Sequence, residues 1–220
     1  MLIALCSPAP GSGKTTLADH LVADFGFVRV AFAAPIKRMV GELLRVSGYP
    51  TQVRDRYVSG DLKEEPLGDI GRLTERHVDA MLAALGPVPA EVAVTAQPLR
   101  EIIGTAFKPG VTSRRLQQLI GTEVGRMHWD RDIWVLIARD RWRYLKEQGR
   151  SVVVDDMRFP NEHSEVVADG GKPYRVIRPG VAVINSHTSE GQLDRIPMPE
   201  IFNTGTLSEF FADAECAVFA

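Results

Sequence analysis

Leu2-Ile3-Ala4-Leu5-Cys6 runs through Ser7 into Pro8-Ala9-Pro10-Gly11-Ser12-Gly13-Lys14-Thr15-Thr16, and this junction decides the fold. Five apolar residues in a row read as a strand covered on both faces. Beyond the glycines, Leu17, Leu21, Val22 and Phe25 recur at roughly helical spacing, and Gly26 follows as a stop. A Gly-x-Gly-Lys-Thr turn between strand and helix is the context of a phosphate-cradling loop. Gly11 and Gly13 let the backbone turn tightly and aim N–H groups inward around Ser12, and the helix adds the positive end of its dipole. Lys14 is placed to reach β- and γ-phosphates, and Thr15, with Thr16 beside it, offers a hydroxyl to Mg²⁺. One position departs from the usual pattern. Five residues before Gly13 a glycine is expected and Pro8 stands there, which removes a donor and fixes φ at the loop entry.

Outward from that loop the chain alternates. Residues 28–32 read as a second strand and 35–46 as a helix with Pro35 at its first position. From 47 to about 110 the pattern loosens, with one clear helix expected at 74–85. Helices are expected at 113–124 and 132–146, a strand at 151–154, a helix at 162–168, a strand at 174–177, a short helix at 207–211 and a last strand at 216–219. Strands separated by helices imply parallel pairing, so the expected fold is an α/β three-layer sandwich with a mainly parallel sheet. The expected organisation is one domain over 1–220 with a helical arm inserted at 47–112.

The chain has 220 residues, 45% hydrophobic, with 26 basic and 28 acidic side chains and a net charge of −2. That is ordinary for a packed globular protein and argues against nucleic-acid binding through a basic surface. No apolar stretch is long enough to span a bilayer, and Met1–Cys6 lacks a basic leader and runs straight into the loop, so it reads as a strand. Cys6 and Cys216 sit in apolar runs and read as buried thiols of a reducing cytosol. Trp129, Trp134 and Trp142 read as packing residues.

A second strand delivers chemistry. Val152-Val153-Val154-Asp155-Asp156 ends in two carboxylates at the sheet edge where ligands of parallel sheets sit. One carboxylate plus Thr15 and the nucleotide phosphates would suffice for Mg²⁺, and spacing does not choose between them. Arg158 follows closely, placed either to neutralise a transferring phosphoryl group or to pair with Asp155 or Asp156.

Several segments together resemble the bacteriophage-type deoxynucleoside monophosphate kinases, within the P-loop nucleoside and nucleotide kinases. They are Pro10–Thr16, Phe32-Ala33-Ala34-Pro35-Ile36-Lys37, Asp61-Leu62-Lys63-Glu64-Glu65-Pro66, Thr112-Ser113-Arg114 with Gln118, and Gly121-Thr122-Glu123-Val124-Gly125-Arg126. Asp155-Asp156-Met157-Arg158-Phe159-Pro160-Asn161-Glu162, Arg178-Pro179-Gly180, His187-Thr188-Ser189-Glu190 and Asn203-Thr204-Gly205-Thr206-Leu207 complete the set. The resemblance runs almost end to end, although the stretch from 69 to 110 is longer than expected. It implies transfer of the γ-phosphoryl group of ATP, with Mg²⁺, to a deoxynucleoside 5′-monophosphate, under a lid that excludes water.

On that resemblance Lys14, Arg126, Asp156 and Arg158 are the catalytic candidates. Gly11, Ser12, Gly13, Lys14, Thr15, Thr16, Arg178, Asn203 and Gly205 would hold ATP, with Thr15 and Asp155 on the metal. Lys37, Arg114, Asp155, Asp156 and Arg158 would hold the acceptor, where Gln118 either reads a base edge or caps a neighbouring strand. Glu123 either orients Arg126 or is a surface charge. His187 and Glu190 form a family-like cluster for which a structural role is the safer reading. The implied partners are small nucleotides, with no nucleic acid or membrane, and a homodimer is compatible with the family; the implied compartment is the cytoplasm, the host's for a viral chain. A P-loop kinase for another acceptor such as dephospho-coenzyme A, or a non-catalytic nucleotide-binding module, are the alternatives.

Overall fold

All five residues of β1 (Leu2–Cys6) are buried, as a continuous apolar run requires of a central strand. The computed structural model describes residues 1–68, 70–181 and 191–220; His187 and Glu190 lie outside the described residues. The chain divides into two compact units, Met1–Phe32 with Ala138–Ala220, and Ala33–Ile137.

In the first unit, β1 is followed by α1 (Lys14–Phe25) and β2 (Val28–Val30), and after the second unit come β3 (Val152–Val154), α8 (Pro160–Ala168), β4 (Lys172–Ile177), β5 (Glu200–Phe202) and α9 (Leu207–Phe219). The strands pair in the order β2-β3-β1-β4-β5, every neighbouring pair parallel. Alternation along the strands sorts their side chains. Ile3, Leu5, Val153, Tyr174, Val176 and Ile201 share one core with Leu17 and Leu21 of α1 and Phe210, Ala214 and Val218 of α9. On the opposite face, Leu2 and Val166 of α8 crowd Gly171, where a Cβ would sit 2.7 Å from Val166 and 2.9 Å from Leu2. Helices therefore cover both faces, the expected three-layer α/β arrangement. His20 joins α1 to α9: it bonds Glu215 at 2.8 Å, pairs with Asp24 at 2.5 Å and stacks on Phe211 at 3.9 Å.

The second unit is helical. It holds α2 (Ala34–Val46), α3 (Thr51–Ser59), α4 (Glu75–Leu85), a π-helical turn (Leu99–Ile103), α5 (Gly104–Ala106), α6 (Ser113–Gln118) and a π-helix (Leu119–Trp129); α7 (Ile133–Glu147) begins here. In α2, Ile36, Met39, Val40, Leu43 and Leu44 are buried, the i, i+3, i+4, i+7, i+8 stripe of a core-facing helix. They form one core with Val78, Met81 and Leu85 of α4 and with Ile120, Val124 and Trp134.

Four sequence expectations need correction. The helix expected to end at 124 continues to Trp129 as a π-helix. There Gly125 leaves room for the indole of Trp134, whose Nε1–H donates to the Gly121 carbonyl at 2.8 Å. The expected helix 207–211 and strand 216–219 are a single helix, α9, capped by Thr206 and Glu209; the apolar run Cys216–Phe219 packs by its 3.6-residue period, not as a strand. Cys216 is accordingly exposed and not buried. The fifth strand is instead Glu200–Phe202.

Candidate active site

The phosphate-loop candidates sit where the sequence puts them, between β1 and α1. Gly11 and Gly13 have φ of +76° and +104°, conformations that only glycine adopts without strain. At Gly13 space is also short: a Cβ would lie 2.7 Å from Asn203 Nδ2. Gly13 is the N-cap of α1 and no side chain among the described residues caps the helix, so its first N–H groups remain available to an anion. The Ser12 hydroxyl is buried without a hydrogen-bond partner among the described residues, and a phosphate oxygen would satisfy it. Thr15 and Thr16 are exposed in the first turn.

Lys14 reaches back across the loop. Its Nζ donates to Ser7 Oγ, and Ser7 Oγ donates to the Ala9 carbonyl at 2.8 Å. Burial, and then the Arg158 guanidinium, pull the Lys14 ammonium below the usual lysine range, while Asp155 and Asp156 pull the other way. The parallel pairing of β1 with β3, Ala4 beside Val154, brings the loop and the two aspartates to one sheet edge.

The two carboxylates are held differently. Asp156 Oδ1 accepts the Phe32 N–H at 2.9 Å. Asp155 pairs loosely with Arg29 Nε at 3.7 Å, with 12% of its side chain exposed. Thr15 and Asp155 thus fit the hard-oxygen donor set that Mg²⁺ takes alongside phosphate oxygens. Arg158 is exposed, and the turn that carries it is fixed by buried Glu162, whose Oε2 accepts the Arg158 and Phe159 N–H groups at 2.7 and 3.0 Å.

Two further candidates touch the loop from the carboxyl ends of β4 and β5. Arg178 Nη1 donates to the Gly11 carbonyl at 3.5 Å, and Asn203 Nδ2 to the Ser12 carbonyl at 3.0 Å. Gly205 lies in the turn before α9, where a Cβ would meet the Glu209 carboxylate. A small cavity of about 80 Å³ beside the loop is lined by Cys6, Ser7, Lys14, Arg158, Arg175 and Asp194 among others. Burial pushes the Cys6 thiol up to about 11 against the opposing pull of Arg175 and Lys14.

Lys37, Arg114, Gln118 and Arg126 belong to the second unit. Lys37 lies half-buried in the first turn of α2, and Gln118 half-buried at the end of α6. Arg114 is exposed and its Nε pairs with Glu64. Arg126 lies in the π-helix, so a 3.6-residue wheel does not describe its relation to Arg114. Glu123 pairs at 3.7 Å with Arg115. This unit also holds a wide cleft of about 640 Å³ between Leu73, Val78 and Phe107, where Arg100 is taken up by Glu75 at 2.7 Å.

No family model matches the chain. A putative deoxynucleotide monophosphate kinase of Acanthamoeba polyphaga mimivirus is 30% identical over 213 residues, covering 92% of this chain and 88% of that protein. The deoxynucleotide monophosphate kinase of Enterobacteria phage T4 is 25% identical over 236 residues, 96% of each chain. That of Escherichia phage RB69 is 26% identical over 237 residues, 93% of this chain and 94% of its own. The chain belongs to the deoxynucleotide monophosphate kinase family. A dephospho-CoA kinase from Campylobacter jejuni aligns over 99% of this chain and 94% of its own at 11% identity with a TM-score of 0.38, too loose a likeness to bear on the acceptor.

For this family member, sequence reasoning passed over Ser7, Arg29, Arg175 and Glu162 as site residues. Arg29 donates to Asp19 at 2.7 Å and to the Thr15 carbonyl at 3.4 Å. Arg175 donates to the Leu193 and Ile196 carbonyls at 2.7 and 2.9 Å, tying down the chain beside the loop. Glu162 was detectable: a Glu three residues into a Pro-initiated helix is a capping signal. Arg29 and Arg175 carry no local signal, because their partners are far off in sequence.

Proposed function

We propose that the protein transfers the γ-phosphoryl group of ATP to a deoxynucleoside 5′-monophosphate, yielding the diphosphate and ADP. The observation that carries this reading is the uncapped N-terminus of α1, with Lys14 beside it at the sheet edge that also bears Asp155 and Asp156. Membership in the family supplies the acceptor class.

Phosphoryl transfer asks for alignment and charge neutralisation more than covalent help. The N–H groups of Ser12 to Thr16 and the orphaned Ser12 hydroxyl receive the donor's phosphates. Lys14 and Arg158 neutralise charge on the oxygens of the group in transit. Burial first and then the Arg158 charge depress the Lys14 pKa, and a polyanion at this edge would offset the second of these. Mg²⁺, when bound, neutralises and orients the phosphate oxygens, with Thr15 and Asp155 as its protein ligands. Asp156, committed to the Phe32 amide, stays fixed as a negative charge beside the two cations.

Arg178 and Asn203 grip the loop's carbonyls, and with Gly205 they are our candidates for the donor's nucleoside end. Lys37, Arg114 and Arg126 are our candidates for the acceptor's phosphate, and Gln118 for its base. The acceptor phosphate is already a nucleophile, so no general base is assigned. ATP and mononucleotides are cytoplasmic metabolites, and that is the compartment we infer.

The test is a coupled assay of ADP release with Mg-ATP against each of the four common dNMPs. Acceptor-dependent ADP release accompanied by a new dNDP supports the reading; ADP release independent of every acceptor overturns it.

A further inference from the structure

The loop departs from the standard pattern at Pro8, and the residue just before it makes the least expected contact in the site. We propose that Ser7 is the positioning residue for the Lys14 ammonium, a role that rests on the phosphoryl-transfer reading above.

A proline at the loop entry offers no N–H and fixes φ, so this end of the loop has fewer ways to arrange its backbone around the lysine. Here the acceptor that holds the lysine is a side chain. Ser7 Oγ is the hydrogen-bond partner of Lys14 Nζ among the described residues. A hydroxyl has one proton and two lone pairs. The proton of Ser7 is committed to the Ala9 carbonyl at 2.8 Å, so the lone pairs face the ammonium. The Ala9 contact lies inside the same loop, two residues on, and locks the hydroxyl rotor in the orientation that accepts.

The arrangement matters because Lys14 is a long side chain that loses rotamer freedom when it acts. Ser7 draws that loss before ATP arrives, so the bound donor meets an ammonium already in place. The other charged neighbours of Lys14 named above, Arg158, Asp155 and Asp156, act on it through their fields and cannot select one rotamer. Cys6, the remaining neighbour, is a neutral thiol near pH 7, with a pKa of about 11.

The experiment is a double-mutant cycle of Ser7→Ala and Lys14→Ala, read by calorimetric binding of Mg²⁺ and a non-hydrolysable ATP analogue, with kinetics on the single variants. Ser7→Ala is expected to lower analogue affinity about fivefold and kcat about tenfold, roughly one charge-assisted hydrogen bond, with the KM of the acceptor unchanged. In the Lys14→Ala background the same change is expected to cost nothing further. Ser7→Thr restores kcat, whereas Ser7→Val, its isostere without the hydroxyl, does not; this pair decides the matter if Ser7→Ala folds poorly. Equal losses in both backgrounds, or Val matching Thr, would overturn the proposal. Because the binding arm needs no acceptor, it stands or falls separately from the assignment of dNMP as substrate.

Discussion

The two units hold their charged groups in opposite ways. In the first, the groups around the loop are fixed by backbone hydrogen bonds: Asp156 by the Phe32 amide, Glu162 by two consecutive amides, Asn203 by the Ser12 carbonyl, Arg175 by two carbonyls. In the second, Arg38 also donates to backbone carbonyls, but Arg114, Arg100 and Arg56 sit in solvent-exposed ion pairs with Glu64, Glu75 and Asp61. Exposed pairs contribute little, because solvent and salt screen them. An arginine so held can exchange its carboxylate for a phosphate at small cost. Under the function proposed above, fixed groups around the loop would hold a polyphosphate in one geometry, and the exposed pair of Arg114 would exchange its carboxylate for the acceptor's phosphate.

The largest effect expected from this contrast is at Lys14. Lys14→Ala should lower kcat by about a thousandfold, about 4 kcal/mol of barrier, with thermal melting nearly unchanged. A variant retaining a tenth of wild-type turnover would break the idea that the first unit does its work through preset groups.

Gly125→Ala probes whether the second unit also has a rigid point. Its Cβ would strike the indole of Trp134, which is 1% exposed and held by its bond to Gly121. We expect a loss of about 3 kcal/mol, a fall of roughly 6–12 °C in Tm by calorimetry. A fall under 2 °C would mean the π-helix yields easily.

Alkaline unfolding tests the burial of the first unit's central strand. The Cys6 thiol rises from 9.0 unfolded to about 11 folded. Between those values the unfolded chain has lost a proton that the folded chain keeps, so stability falls as pH rises and the contribution is complete below pH 9. The loss reaches about 3 kcal/mol at the upper end. Urea titrations from pH 8 to 11 should show Cys6→Ala with a shallower decline than wild type; parallel slopes would rule the thiol out.

Arg114→Ala should reduce kcat/KM for the acceptor about 10- to 100-fold, as loss of a charge-assisted phosphate contact does. Its melting point should move by less than 2 °C, since the ion pair it breaks is exposed. Loss of stability without loss of acceptor affinity would reverse the assignment. The smallest effect is at Glu64→Gln: freeing Arg114 should lower the acceptor KM about twofold and leave Tm alone. A raised KM would mean that Glu64 itself contacts the acceptor side.

The elements legible in advance were those whose signals are local. Leu2 to Thr16 carries its strand, its glycines and its lysine within one stretch, and Val152–Asp156 likewise shows a buried strand and its carboxylates together. What stayed hidden depended on distant partners. The three residues of β5 follow Pro197 and Pro199 and are strand only because β4 pairs with them, Val176 beside Ile201. Cys216–Phe219 is a short apolar run that strand and helix templates fit equally; the cap at Thr206 and the packing of Phe210, Ala214 and Val218 decide for helix. In α3, only Val58 is buried among nine mostly polar residues, so no apolar stripe announced it. The π-helix packs against the Trp134 indole at Gly125, a contact that no period in its own sequence records.

The two cysteines end in very different surroundings, one in the middle of the sheet and one on the outer side of the last helix. Only the latter is accessible to a maleimide under mild conditions, so a fluorophore can be attached at a single known point without mutating the protein. That helix begins four residues after the asparagine that holds the loop. The natural chain therefore comes with its own handle for testing whether a nucleotide binds beside the loop.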